Sequence, residues 1–168
     1  MSFRHHILLP AILVLAGCAA NKAGVDPGKP CTKPNFDRII VNIGADRIDI
    51  PESKYAYLKE PMLNLTRDSL VDTLREEFDG QGRKVSIDTG RGCAQRAVLV
   101  TGQLTSLTHR AKRFSGDMTL TLTHCDSNKV LLSEEFSARN KDRDFPDTPT
   151  ELGSNAGNAV AERLTACD

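Results

Sequence analysis

From Arg113 to Cys125 the chain alternates with period two. Phe114, Met118, Leu120 and Leu122 fall on one side, and Ser115, Asp117, Thr119, Thr121 and Thr123 on the other. Only a strand puts successive side chains on opposite faces. The pattern therefore demands a sheet with one face on a core and the other toward water or a partner. The neighbouring segments extend it. Ala97 to Thr108 reads as a long strand, and Lys129 to Arg139 as another, reached through the turn formers Asp126-Ser127-Asn128. Three consecutive strands with short turns make an antiparallel meander.

Upstream, Asp37 to Ile43 holds Ile39, Ile40, Val41 and Ile43, the run of a buried strand. Ile48-Asp49-Ile50 alternates briefly and stops at Pro51, as a short edge strand or a loop does. A helix is predicted from about Pro61 to Asp79. Leu63, Leu70, Val71, Leu74 and Phe78 form its apolar stripe, Arg67, Asp68, Asp72, Arg75, Glu76 and Glu77 its solvated side, and Gly80 and Gly82 mark its end. Val85 and Ile87 place a further strand over Arg83 to Asp88. A second helix starts near Thr148. Thr148 as N-cap, Pro149 in the first helical position and Glu151 three residues after the cap make a capping box. Leu152, Ala156, Ala159, Val160 and Leu164 form the inner stripe, and Gly153, Ala156, Gly157 and Ala161 keep the helix thin enough to lie close against a sheet. Gly153-x-x-x-Gly157 has the spacing of a membrane dimer motif, on a helix too polar for lipid. The fold expected is α+β: a mostly antiparallel sheet of four to five strands with two helices packed on one face, in the order β-α-β-β-β-β-α.

The amino terminus carries Arg4, His5 and His6, then an apolar run from Ile7 to Leu15, then Ala16-Gly17-Cys18. A charged start, a short apolar stretch and small residues at its end are the layout of a secretory signal peptide. A membrane span needs about twenty apolar residues, whereas this run is short and contains Pro10. Leu15-Ala16-Gly17-Cys18 resembles a bacterial lipobox. The resemblance implies a diacylglycerol thioether on Cys18, cleavage before it and acylation, as by palmitate, of the new amino terminus. Ala19, not Asp, follows; by resemblance to enterobacterial lipoproteins that favours the outer membrane, facing the periplasm. Residues 1–17 are then the signal peptide, 18–35 a flexible tether broken by Pro27, Gly28, Pro30 and Pro34, and 36–168 a single domain.

Charge is balanced, with 22 basic and 22 acidic residues, and loss of Arg4 leaves the mature chain near −1. No basic field points to nucleic acid. Trp is absent, so a large aromatic platform for bases or sugars is not expected. Cys31, Cys93, Cys125 and Cys167 lie far apart, without the Cys-x-x-Cys pairs of a zinc site. An oxidising envelope makes disulfides the default. With His109 to Lys112 as the turn, Thr108 faces Arg113 and Ala97 faces His124. Cys93 and Cys125 then arrive at one end of the hairpin and pair, which leaves Cys31 to pair with Cys167. Loop closure makes these worth at most about 4 and about 5 kcal/mol.

No catalytic residues, metal ligands or cofactor motif emerge. Gly90-x-Gly92 lacks the spacing of a phosphate or dinucleotide loop, and His109 and His124 stand outside His-Glu-x-x-His and nucleophile-elbow patterns. Glu134 and Glu135 point to opposite faces of a strand. Two surfaces suit interaction: the basic turn His109, Arg110, Lys112 and Arg113, fitted to an anionic ligand or partner, and the Thr-rich face of the Arg113–Cys125 strand.

The order strand, helix, strand, meander, helix behind a lipobox resembles small envelope lipoproteins. These include the lipoprotein subunit of the lipopolysaccharide translocon, auxiliary lipoproteins of envelope transporters, and the amino-terminal domain of the translocation protein TolB. Gly102-Gln103-Leu104-Thr105 and Thr119-Leu120-Thr121-Leu122-Thr123 share the cadence of such chains. The resemblance implies a non-enzymatic accessory or assembly subunit of an envelope complex, with an envelope protein as partner and the membrane reached through the Cys18 lipid. The alternative is a carrier of lipid or lipopolysaccharide. Peptide mapping without reduction is expected to return Cys93 with Cys125 and Cys31 with Cys167; a Cys31–Cys93 or Cys31–Cys125 peptide refutes the pairing.

Overall fold

The structure, a computed structural model, describes residues 34–45, 57–88, 90, 92–110, 113–140 and 147–166. The strands are β1 (Arg38–Gly44), β2 (Lys84–Ile87), β3 (Ala97–Arg110), β4 (Arg113–His124) and β5 (Lys129–Asn140); the helices are α1 (Lys59–Phe78) and α2 (Asp147–Thr165). The element order is the one the sequence predicts. Residues 48–50, the signal segment and the expected tether as far as residue 33 fall outside the described residues.

One sheet forms, in the order β2-β1-β3-β4-β5. It is mixed. β1 runs parallel to both its neighbours, and β3, β4 and β5 form the meander through longer antiparallel ladders. The apolar run of β1 follows from its place: Ile39, Ile40, Val41 and Ile43 are all buried, as befits a strand enclosed by parallel partners. β2 is only four residues long. The nine residues before β3 can therefore carry the chain back past it to begin β3 beside the start of β1, since nine extended residues reach about 30 Å.

Both helices cover one face. Ile39, Val41, Val98, Val100, Met118, Leu120 and Leu122 of the sheet meet Leu70, Val71, Leu74 and Phe78 of α1 and Leu152, Ala156, Val160 and Leu164 of α2 in one core. α1 packs beside β1 and β2, α2 beside β4 and β5, and the helices pack on each other. α1 begins two residues earlier than predicted and buries Met62 and Thr66, while Leu63 is only half-buried.

Two expectations for α2 are corrected. The helix begins at Asp147, so Thr148 is not its N-cap; its side chain is fully buried and its Oγ1 has no hydrogen-bond partner. Asn140 Nδ2 instead donates to Asp147 Oδ2 at 3.1 Å. The second correction concerns the glycines, which face α1 and not the sheet. A Cβ on Gly153 would collide with the Thr66 carbonyl oxygen and lie 3.0 Å from Leu70 N; one on Gly157 would lie 2.8 Å from Thr73 Cβ and 3.2 Å from the Leu70 carbonyl oxygen.

Helix propensity alone favours alanine over glycine by about 1 kcal/mol. Here the sign is reversed. Gly153→Ala is expected to destabilise the protein by about 2–3 kcal/mol and Gly157→Ala by less, because the first meets rigid backbone and the second mainly a side chain. Urea denaturation reads both; a stabilised Gly153→Ala protein would refute the close helix contact.

Candidate functional site

β3 carries one extra residue, Thr105, between the pairs Leu104–Met118 and Ser106–Asp117. Because side chains alternate, a single bulged residue exchanges the two faces of the strand. Before the bulge, even-numbered residues of β3 face the helices; after it, Ser106 and Thr108 face away. They meet Asp117 and Ser115 of β4 there. Ser106 Oγ donates to Asp117 Oδ2, Ser137 Oγ of β5 donates to Asp117 Oδ1 at 2.6 Å, and the Thr108 and Ser115 hydroxyls bond to each other. These hydrogen bonds, from Ser106 first and then Ser137, hold the Asp117 carboxyl below its ordinary value near 3.8; burial opposes them, and Arg139 adds positive potential in their favour.

A carboxylate so held is a poor proton acceptor at neutral pH, so the cluster is ill suited to activate either serine as a nucleophile. What it does is join β3, β4 and β5 on the face without helices. Further along that face Thr101, Thr119, Thr121 and Thr123 are half-buried, and Thr101 Oγ1 donates to the Thr121 carbonyl oxygen at 3.4 Å. The hydroxyl-rich face predicted for β4 thus continues onto β3.

The basic residues of the β3–β4 hairpin lie at its tip. Arg110 pairs with Arg113 and His109 with Phe114 through the backbone. The side chains of His109, Arg110 and Arg113, and Lys112 altogether, fall outside the described residues. The register differs from the one predicted. Thr108 pairs with Ser115, not Arg113, and His124 pairs with Val98, not Ala97. The strands stay paired to Arg110 and Arg113, and the bulge absorbs one residue along the way.

Cys93 and Cys125 nevertheless share the opposite end. They form a disulfide with a Cα–Cα distance of 5.1 Å, beside the hydrogen bond from Cys125 N to the Ala97 carbonyl oxygen at 3.0 Å. Cys18, Cys31 and Cys167 lie outside the described residues. His124 sits at this end as a bridge. Its Nε2 donates to the Asn35 carbonyl oxygen at 3.4 Å, which leaves Nδ1 to accept from Ser127 Oγ at 2.8 Å.

On the helix side, α1 and α2 enclose an open groove of about 370 Å³. Asp68, Asp72 and Glu76 form one wall at four-residue spacing, which places them on a single ridge of α1. Ser69 Oγ donates to the Thr150 carbonyl oxygen and bonds Ser154 Oγ, both at 2.8 Å, across the floor. Among the described residues no group of three or more His, Cys, Asp or Glu side chains could hold a metal ion. Neither the groove nor the Asp117 cluster was singled out from sequence. The groove needs the close helix pair, which Gly153 and Gly157 signal without naming the element approached, and the cluster needs the bulge, which has no marker in the residue pattern.

No family model matches the chain, and no curated protein matches it. Solved structures do. A hypothetical protein from Chlamydia trachomatis, CT253, matches with a TM-score of 0.52 at 9% identity, over 78% of this chain and 99% of that one. The PelC dodecamer of Paraburkholderia phytofirmans matches with a TM-score of 0.50 at 15% identity, over 73% of this chain and 86% of that one. The lipoprotein GNA1162 from Neisseria meningitidis matches with a TM-score of 0.40 at 13% identity, over 74% of this chain and 98% of that one. At such identities the likeness establishes the fold and leaves the job open.

Asp117 makes a pH prediction. Its pKa is lowered on folding, so the stability it contributes is present above the unfolded value and is lost as pH falls through the folded one. Asp117→Asn should cost about 1 kcal/mol at neutral pH, the low end for hydrogen bonds to a partly solvated charge. The gap to the parent protein should close below about pH 4. Urea titrations at several pH values test this; a gap that persists in acid would mean that the carboxylate charge is not what the two serines hold.

Proposed function

We propose that the protein is a lipoprotein anchored to the outer membrane through Cys18, whose periplasmic domain serves as a non-enzymatic accessory or assembly subunit of an envelope complex. The observation that carries this reading is Leu15-Ala16-Gly17-Cys18 at the end of the apolar run Ile7 to Leu15. Several acyl chains on Cys18 hold a protein stably, each buried CH₂ contributing about 0.8 kcal/mol. Among the described residues no helix is long and apolar enough to cross a membrane.

The state of the polar groups supports a role in binding over one in catalysis. Asp117 is kept ionised by Ser106 and Ser137, and both ring nitrogens of His124 are engaged. Carriage of lipid finds less support. A lipid carrier presents an apolar cavity to the acyl chain, whereas the groove between α1 and α2 is walled by Asp68, Asp72 and Glu76.

Crosslinking in living cells, purification in mild detergent and mass analysis test the reading. The mature chain should begin at an acylated Cys18 and carry an envelope protein in fixed ratio. PelC is a dodecamer, and a ladder of multiples of this chain's own mass would make the partner a second copy. A free, unmodified amino terminus would overturn the anchor. A monomer holding extractable lipid would overturn the accessory role in favour of carriage.

A further inference from the structure

We propose that the sheet edge where β1 begins is a docking surface for the phosphates of an anionic bilayer. The inference rests on the lipid-anchored reading above and adds the orientation of the domain on the membrane.

The register places one cation or histidine of every strand along this edge. Arg38 of β1 pairs with Lys84 of β2 and with Ala97 of β3, which Arg96 precedes; Val98 pairs with His124 of β4, and His124 with Lys129 of β5. The row Lys84, Arg38, Arg96, His124, Lys129 therefore crosses all five strands. At about 4.8 Å per strand it is about 20 Å long. Lys84 and Lys129 are exposed, and the side chains of Arg38 and Arg96 are 54% and 59% exposed. Two carboxylates share the edge and both are engaged. Asp37 lies 3.5 Å from Arg38 Nε and from Arg96 Nε, between the two guanidiniums, and Asp126 accepts from Arg96 N at 2.9 Å. The four cations exceed them. The helices end on the same side with Glu76, Glu77, Asp79 and Glu162 against Arg75 and Arg163, so the positive excess is confined to the sheet.

A bilayer is the occupant that the chain's own course selects. Residues 34–37 lead into β1 at this same edge, and Pro34 is the sixteenth residue after Cys18. That stretch spans at most about 55 Å. A domain tied to the membrane by Cys18 thus presents this edge at the point of attachment. The basic hairpin tip Arg110–Arg113 lies at the other end of β3, about 40 Å along the sheet. Near an anionic surface each Lys or Arg strengthens association about five-fold, and salt weakens it.

The test uses the lipidated protein reconstituted on vesicles of phosphatidylcholine alone or with about a third phosphatidylglycerol, the anionic content that creates a surface potential. Acetylation of lysines is followed by mass spectrometry. On anionic vesicles Lys84 and Lys129 should react at least about five-fold more slowly than on neutral ones, and high salt should restore the rate. Lys59, at the start of α1, serves as the internal control. Equal protection on neutral and anionic lipid, or slowing of Lys59 as much as of the row, would overturn the proposal. Failure of the anchor itself is seen separately, as loss of the protein from the neutral vesicles. In that event the unlipidated chain still tests the row: its binding to anionic vesicles should fall about 25-fold in the Lys84→Gln, Lys129→Gln double variant. A fall seen instead in Arg110→Gln, Arg113→Gln would move the contact to the hairpin tip.

Discussion

The two helices approach until there is no room for a side chain between them, and the rest of the architecture depends on that. The five strands offer a face about 20 Å wide, which two helices side by side just cover at the usual 8–10 Å between axes. Wider spacing would leave the central strands β1, β3 and β4 open above Val100, Leu104 and Leu120. Gly153 and Gly157 set the spacing by laying α2 against the backbone of Thr66 and Leu70 and the side chain of Thr73. The two glycines cost the helix about 2 kcal/mol in propensity. Burial of Leu152, Ala156, Val160 and Leu164 against the shared core offsets this. The same closeness brings Ser69 and Ser154 within hydrogen-bond distance at the outer rim, so the seam ends in hydroxyls that also face water.

On the other face, Thr105 has a comparable reach. Without the bulge, the outer half of β3 would turn Ser106 and Thr108 toward the helices. With it, Ser106 joins Asp117 and Thr108 joins Ser115, and β3, β4 and β5 are tied through one carboxylate. A second irregularity lies in β5, between the pairs Leu122–Leu132 and Thr123–Val130. α2 covers the backbone there, with Arg163 Nε donating to the Leu131 carbonyl oxygen at 2.8 Å. Edge strands expose unpaired backbone that invites another strand. On β5 the bulge, the arginine and the charges of Glu134, Glu135 and Arg139 work against such pairing.

Much of this was legible in the sequence because burial imposes period. The alternation of β4 has one solution, and the stripe Leu70, Val71, Leu74 and Phe78 has another. β1 was readable as buried because its run is unbroken, although nothing in it says that both neighbours are parallel; that follows from where the chain returns after β2. The details that failed are those set by partners. Thr148, Pro149 and Glu151 spell a capping box, yet Thr148 is claimed by the core and the helix starts two residues sooner. The glycines signal close approach without naming the element approached. The strands stay paired to Arg110 and Arg113, which shifts the expected hairpin register by two residues at the tip; the bulge at Thr105, which leaves no composition signal, takes one of these back, and Cys93 still meets Cys125. A slip of a residue or two moves cross-strand partners but keeps strand ends together.

The sheet also has two unlike ends, and the difference bears on how the fold would resist a pull on the chain. At the hairpin end, β3 and β4 run on to Arg110 and Arg113, well past Gly44 at the end of β1. The end where β1 begins is reinforced. The Arg83 guanidinium lies 4.3 Å from the centre of the Phe36 ring and 5.4 Å from that of Phe78, and the two rings meet edge to face at 6.0 Å. Asp37 bridges Arg38 and Arg96, His124 reaches the Asn35 carbonyl, and the Cys93–Cys125 disulfide stands alongside. The chain joins the fold through β1, the strand with a ladder on each side. Tension along β1 loads both ladders in shear, so many hydrogen bonds must yield together. Tension on an edge strand would peel them one at a time. A pull on the chain ahead of β1 would therefore meet both ladders of β1 and the Phe36–Arg83–Phe78 stack before it reached the rest of the core.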